Sequence, residues 1–231
     1  MPYRRLPNTD QSRIRALQTA IDQSNRVSVL DCAFSVKALN EAESFLPSFE
    51  SAHHDYLQCL DKQIQSGKKF QSQAKLARLY VSHFIQVLNL CIIRNEIKPE
   101  MKRLYGLEPE DNTLPELVTD SALIKWGDLI VAGEQERLRL GGTPIYNPAI
   151  AKVRVHIELF KDGYIAQKTH QKSTNRTLKL VSNMREQADA IILNIWNQVE
   201  EHFKNLPETN KRTACESYGV RYYFRKNETK K

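Results

Sequence analysis

The chain is poor in turn-forming residues: eight glycines and nine prolines in 231 residues, most of them between periodic segments. A β-rich fold needs more turns than these supply. Cysteine is also scarce. Cys32, Cys59, Cys91 and Cys215 are scattered with no close pair, which argues against a disulfide framework and suits three of them as small core or boundary residues in a reducing compartment. No uninterrupted apolar run is long enough to cross a bilayer, because Val87 to Ile93 is broken by Asn89 and followed by Arg94. The opening residues have no apolar stretch behind their charges, so no secretory signal is expected and the cytoplasm is the default location. Enzyme motifs are missing too: there is no glycine-rich phosphate loop, no Gly-x-Ser-x-Gly and no His-Glu-x-x-His. These gaps favour a protein that is not an enzyme, and no cofactor is implied.

What is present is helix-forming sequence. Leu, Ala, Glu, Gln, Lys and Arg dominate, and apolar residues recur at three and four positions. After an N-terminal arm (1–8), Asn8 or Thr9 reads as a helix cap with Asp10 in the first turn, and Ile14, Leu17 and Ile21 form one face of a short helix ending near Ser24-Asn25. A second helical stretch is expected from Val27 through Leu30, Phe34 and Leu39, with a kink or restart at Pro47. Beyond it, Phe49, His53, Tyr56, Leu57, Leu60 and Ile64 form a stripe that Gly67 should end. The next helix carries Ala74, Ala77, Val81, Phe84, Leu88 and Cys91.

Pro99 opens a short helical turn closed by Gly106. A helix capped by Thr119 or Asp120 follows, closed by Gly141-Gly142. Asn147-Pro148 reads as a cap with proline at the first helical position. The stripe Ile150, Val153, Ile157, Phe160 and Tyr164 leads to a polar tip at 168–177 and a last long helix from Leu178 to Leu206, stopped by Pro207.

These patterns predict an all-α fold in a single domain. Two long helical hairpins, 48–97 and 148–206, pack as an antiparallel four-helix bundle, joined by a helical crossover at 98–147. The basic tail, 207–231, contains one short strand in which Val220, Tyr222 and Phe224 alternate with Arg221, Tyr223 and Arg225. Its partner is sought in Tyr3–Leu6, in Pro144–Tyr146 or in a second copy of the chain. Residues 106–142 carry eight acids against three bases, so the basic tail is expected to fold back onto this crossover.

The opening Pro2-Tyr3-Arg4-Arg5-Leu6-Pro7-Asn8-Thr9-Asp10 resembles the start of a family of uncharacterised bacterial helical proteins, and the tail from Tyr218 to Lys226 is similar to the same family. The resemblance covers only the chain's two ends. It implies a helical bundle and transfers no activity and no catalytic residue.

The net charge is +7, and its distribution is uneven. From Lys62 to Asn95 there are six bases and no acid, and from Gly163 to Arg185 five bases and no acid. If both stretches are hairpin tips at one end of a bundle, Lys68, Lys69, Lys75, Lys168, Lys172 and Arg176 form one positive surface for an anionic partner, nucleic acid or an acidic protein. The bland alternative is a solvated face that keeps the protein soluble. Phe70 is the one aromatic available there for base stacking. Neither a membrane partner nor a bound cofactor is expected, and a homo-oligomer is left open. A metal-dependent enzyme is the alternative from another class. His53, His83 and His156 each lie about fifteen residues from a presumed tip, with Asp189 at a similar height on the fourth helix, a set able to bind zinc if the hairpins align.

Overall fold

The computed structural model describes residues 3–224. Among them, α1 (Asp10–Ser24), α2 (Val36–Ile93), a 3-10 helix (Pro99–Tyr105), α3 (Asp120–Arg139), α4 (Ile150–His202) and α5 (Glu208–Ser217) follow in chain order, and β1 (Tyr3–Arg4) pairs with β2 (Tyr222–Tyr223). The protein is all-α with one small ribbon, as its periodicity predicts.

Several boundaries follow from local chemistry. Thr9 caps α1 in a reciprocal capping box with Ser12, each side chain bonding the other residue's backbone N–H. Thr119 caps α3 by accepting from the Ala122 amide. Pro99 opens the 3-10 helix and Gly106, at φ 72°, closes it. Other expectations shift. Residues 26–35 are turns, bends and irregular chain, and Leu30 is 95% exposed rather than part of a stripe. The Asn147-Pro148 peptide is cis and precedes the helix, which starts from the Ala149 carbonyl.

The two hairpins expected at 48–97 and 148–206 are replaced by two continuous helices. α2 runs unbroken for 58 residues through Pro47 and Gly67, and α4 for 53 residues through 168–177. An interior glycine costs about 1 kcal/mol relative to alanine, which tertiary packing readily offsets. Here a Cβ at Gly67 would lie 3.6 Å from the Gln167 side chain, in ordinary van der Waals contact, so α4 packs directly over the glycine. The polar stretch 168–177 is helical surface, and its Thr174 is buried with its hydroxyl donating to the Cys59 carbonyl at 3.2 Å.

Internal contacts divide the chain into two compact units, one formed by residues up to Leu60 together with those from Ser173, the other by Asp61–Lys172. In the first, the N-terminal part of α2 and the C-terminal part of α4 run antiparallel, and α1 and α5 join them around Leu17, Phe49, Ile192, Trp196 and Val199. In the second, the remaining parts of α2 and α4 pair antiparallel, with Phe70 stacked on Phe160 at 5.5 Å, and α3 and the 3-10 helix complete a core around Phe84, Leu88, Tyr105, Ile130 and Ile157. Phe84, Leu88 and Ile157, read from the sequence as stripe residues, are all buried, as is Ile195 on the last long helical stretch.

The tail belongs to the first unit and not to the 98–147 segment. Tyr3 faces Tyr223 and Arg4 faces Tyr222 in an antiparallel ribbon, so the Tyr3–Leu6 arm is the strand partner, whereas Tyr146 bridges Ala149 instead. The acid that receives the tail is on α4: the Tyr222 hydroxyl donates to Glu200 at 2.7 Å, and Arg4 donates to Glu200 at 2.8 Å and to Asn197 at 2.7 Å. Val220, Tyr218 and Cys215 enter the core beside α1. Apolar burial therefore decides the docking place rather than the net charge of the crossover. Arg225 and Lys226, expected to extend this segment, lie outside the described residues.

Among the described residues one helix, α2, is long and apolar enough to cross a membrane by length and composition, with an eighteen-residue window of mean hydropathy 1.5 that is 44% buried within the structure. This corrects the expectation drawn from uninterrupted runs. Single polar residues such as Asn89, whose amide donates to the Asn112 carbonyl at 3.0 Å, break a run without lowering the average enough to matter.

Candidate functional site

The basic residues singled out by sequence are distributed along two continuous helices. Lys68, Lys69, Lys75, Lys168, Lys172 and Arg176 are all exposed. Lys62 and Lys69 of α2 line a groove of about 530 Å³ in the second unit, opposite Leu159, Asp162, Gly163 and His170 of α4. Lys168 leans over the Tyr164 ring, 5.5 Å from its centroid. Lys68, Lys75 and Lys172 do not line this groove, and Arg176 belongs to the first unit. The antiparallel pairing of the helices therefore brings Lys62 and Lys69 of the first basic stretch beside His170 of the second. It does so along a helix face, not at a bundle end.

Three members of the basic stretches are committed elsewhere, Arg94 among them, paired with Glu96 at 2.8 Å. Arg78 donates to the Leu117 and Val118 carbonyls, each at 2.9 Å, and so pins the loop before α3. Arg185 makes a two-bond clamp on Asp10, both bonds at 2.8 Å. Phe70 is half-buried against Phe160 and Tyr164, so its ring is not free to stack on a base.

The four metal-ligand candidates do not converge. His53 and Asp189 belong to the first unit, His83 and His156 to the second. Since one continuous helix carries both His53 and His83, no turn brings them to a common height. Asp189 is held by Arg13 through Nε at 2.8 Å and Nη2 at 2.9 Å, and the His156 ring stacks on Tyr80 at 4.2 Å. Among the described residues no group of three or more His, Cys, Asp and Glu side chains is placed to hold a metal ion.

Sequence reasoning missed a buried polar triad in the second unit. Glu134 and Arg137 sit one turn apart on α3, both almost wholly buried, and read in sequence as surface charge. Arg137 donates from Nε to Glu134 Oε2 at 2.9 Å and to the Tyr105 hydroxyl at 2.8 Å, and from Nη2 to Glu134 Oε1 at 2.8 Å and to the Thr143 carbonyl at 2.7 Å. The Tyr105 hydroxyl donates to Glu134 Oε2. Burial, and then the bond to Glu134, push the Tyr105 phenol well above its ordinary range. Gly133 permits this closeness, for a Cβ there would lie 2.7 Å from the Leu104 carbonyl oxygen and 2.6 Å from the Tyr105 ring. With both charged side chains almost wholly buried and every partner within this unit, the chemistry of the triad is that of a staple joining α3, the 3-10 helix and the 143–145 loop. Lys102 acts similarly. Fully buried, it donates to the Asp111 carbonyl and to Asn112 Oδ1, both at 2.8 Å, and burial lowers its affinity for a proton while Asp111 partly restores it.

No known protein family, curated protein or solved structure matches this chain.

Proposed function

We propose that the protein is a non-enzymatic binding protein whose helical surface engages an extended anionic partner. The observation that supports this is the groove of the second unit, where Lys62 and Lys69 stand exposed, with Lys68 and Lys75 on the same acid-free stretch of α2. None of the four has a hydrogen-bond or ion-pair partner among the described residues, whereas Arg78 on the same helix is fully used. Lysines of this kind act as solvated point charges that attract phosphates without fixing their orientation. With Phe70 sequestered, such a surface reads the charge of a nucleic acid and not its bases.

The test is titration of labelled duplex DNA and of polyglutamate with wild type and a Lys62→Gln, Lys68→Gln, Lys69→Gln, Lys75→Gln variant over a range of salt. Duplex binding should weaken in the variant, and the slope against log salt should become shallower by up to about 0.9 for each phosphate that is no longer neutralised. Binding of polyglutamate alone would make the partner an acidic protein. Equal, salt-insensitive retention by both proteins would reduce the lysines to a solubility role.

A further inference from the structure

A second basic feature, in the first unit, has a different character. A cleft of about 410 Å³ opens between the N-terminal arm, α1 and the segment entering β2. Three arginines from these three places line it: Arg5 from the arm, Arg15 from α1 and Arg221 from the tail. Among the described residues no aspartate or glutamate lines it. None of the three guanidinium groups has a hydrogen bond or ion pair among the described residues, and all three are exposed.

The neighbouring arginines make the contrast. Arg4, next to Arg5, is bound to Glu200 and Asn197. Arg13, two residues before Arg15, is bound to Asp189. Asp10 is taken by Arg185, and Glu200 by Arg4 and Tyr222. These acids are thus spent on other cations, and three like charges are left gathered on one concavity. Such an arrangement repels itself and lowers stability unless an anion enters.

The cleft is also structurally defined. Gly219, at φ 87°, brings the tail so close to α1 that a Cβ would lie 3.1 Å from the Ala16 carbonyl oxygen, and the Tyr3–Tyr223 pair, 6.2 Å between ring centroids, flanks the ribbon at its edge. The Tyr222 hydroxyl is occupied by Glu200 and is not offered to a ligand in the cleft. The volume falls within the usual range of roughly 300–1,000 Å³ for small-molecule sites.

We propose that this cleft binds a diphosphate group, with Arg5, Arg15 and Arg221 as its ligands. Guanidinium forks match phosphate oxygens in pairs, and a terminal phosphoryl group carries about −1.5 to −2 charges at neutral pH, so a diphosphate balances the three guanidinium charges. The diphosphate reaches the cleft either free or as part of a nucleoside diphosphate whose flat base lies on the exposed Tyr223 ring. This site is independent of the lysine groove, in residues and in unit.

Isothermal titration of the full chain with pyrophosphate, ADP and adenosine at low salt tests it. Saturable one-to-one binding of pyrophosphate or ADP is expected, with none for adenosine. ADP binding more tightly than pyrophosphate assigns the nucleoside form, and the reverse order assigns the free anion. Arg15→Gln and Arg221→Gln should each weaken binding about tenfold or more, the cost of one charge-assisted pair, with unchanged far-ultraviolet circular dichroism. The quadruple lysine variant should bind as wild type does, which separates failure here from failure of the groove. No saturable binding of either diphosphate at millimolar concentration overturns the proposal, as does undiminished affinity in both arginine variants.

Discussion

Glu134 is a wholly buried charge at the centre of the second unit's polar triad. Its two oxygens receive Arg137 and the Tyr105 hydroxyl, and Oε1 also lies 3.4 Å from the Ile145 amide. Removing its charge leaves the Arg137 guanidinium buried beside a neutral partner, the situation in which a broken buried pair costs about 3–5 kcal/mol. Glu134→Ala should therefore lower the unfolding free energy by about that amount, measured by urea denaturation. Tyr105→Phe removes a hydroxyl that donates to Glu134 and accepts from Arg137, but leaves the Glu134–Arg137 pair in place, and should cost about 1–3 kcal/mol. If Glu134→Ala proves no worse than Tyr105→Phe, the triad is not the staple its geometry describes. The same carboxylate shows why a buried ion pair is hard to see from sequence. Glu134 and Arg137 are spaced as an ordinary surface pair on an amphipathic helix, and only the approach of the 3-10 helix, made close by Gly133, takes them out of water.

At the scale of elements, the short β1–β2 ribbon and α5 form a latch on the first unit. α5 has an almost wholly polar surface, and Cys215 is its one buried residue. What holds the latch is the segment after it: Tyr218 and Val220 in the core, Tyr222 on Glu200. Val220→Ala should cost about 1 kcal/mol and more than that if the cavity persists, whereas Val220→Asp places an unpaired charge in an apolar site and should release the tail. Limited trypsin digestion distinguishes the two states. In wild type Lys211 and Arg212 should be cut slowly, and in Val220→Asp quickly; equal rates would mean that Val220 does not hold the tail. Elements with their own local chemistry were legible from residues alone: the Thr9 and Thr119 caps, the Pro99–Gly106 turn and the alternation around Tyr222 each need only neighbours within a few positions. Gly67 as a helix end and Pro47 as a restart misled for the opposite reason. Their cost, about 1 kcal/mol for glycine and about 3 for proline, is set locally, while the packing that carries α2 through them comes from distant α4. α5 was missed because a polar ten-residue segment has no stripe to read. The arginine cleft draws on three segments and had no signature in any one of them.

For the molecule as a whole, the buried titratable groups set a direction for stability against pH. Burial raises the Cys91 and Cys215 thiols above their ordinary value of 9.0, and the Tyr105, Tyr218 and Tyr222 phenols above 10.0. Hydrogen bonds to Glu134 and Glu200 add to the effect at Tyr105 and Tyr222. These five groups are shared between both units. In the unfolded chain they ionise near their ordinary values, and in the fold they keep their protons. Above about pH 9 the unfolded state therefore binds fewer protons than the folded one, and stability must fall as pH rises. Below that value their contribution is fully present. Lys102 works the other way: burial lowers it from 10.5, so in the window below 10.5 the unfolded state binds the extra proton and rising pH favours the fold. One such group against five does not reverse the sign. The urea midpoint, measured under reducing conditions, should be level from about pH 7 to 8.5 and drop steeply between about pH 9 and 11. Each fully protected proton contributes a slope of about 1.36 kcal/mol per pH unit. Tyr222→Phe and Tyr105→Phe should each make the alkaline limb shallower, a readout separate from the hydrogen bond each loses at neutral pH. A midpoint that holds or rises through pH 11 would mean that these thiols and phenols reach water in the folded protein, and would undo the burial on which both cores are drawn.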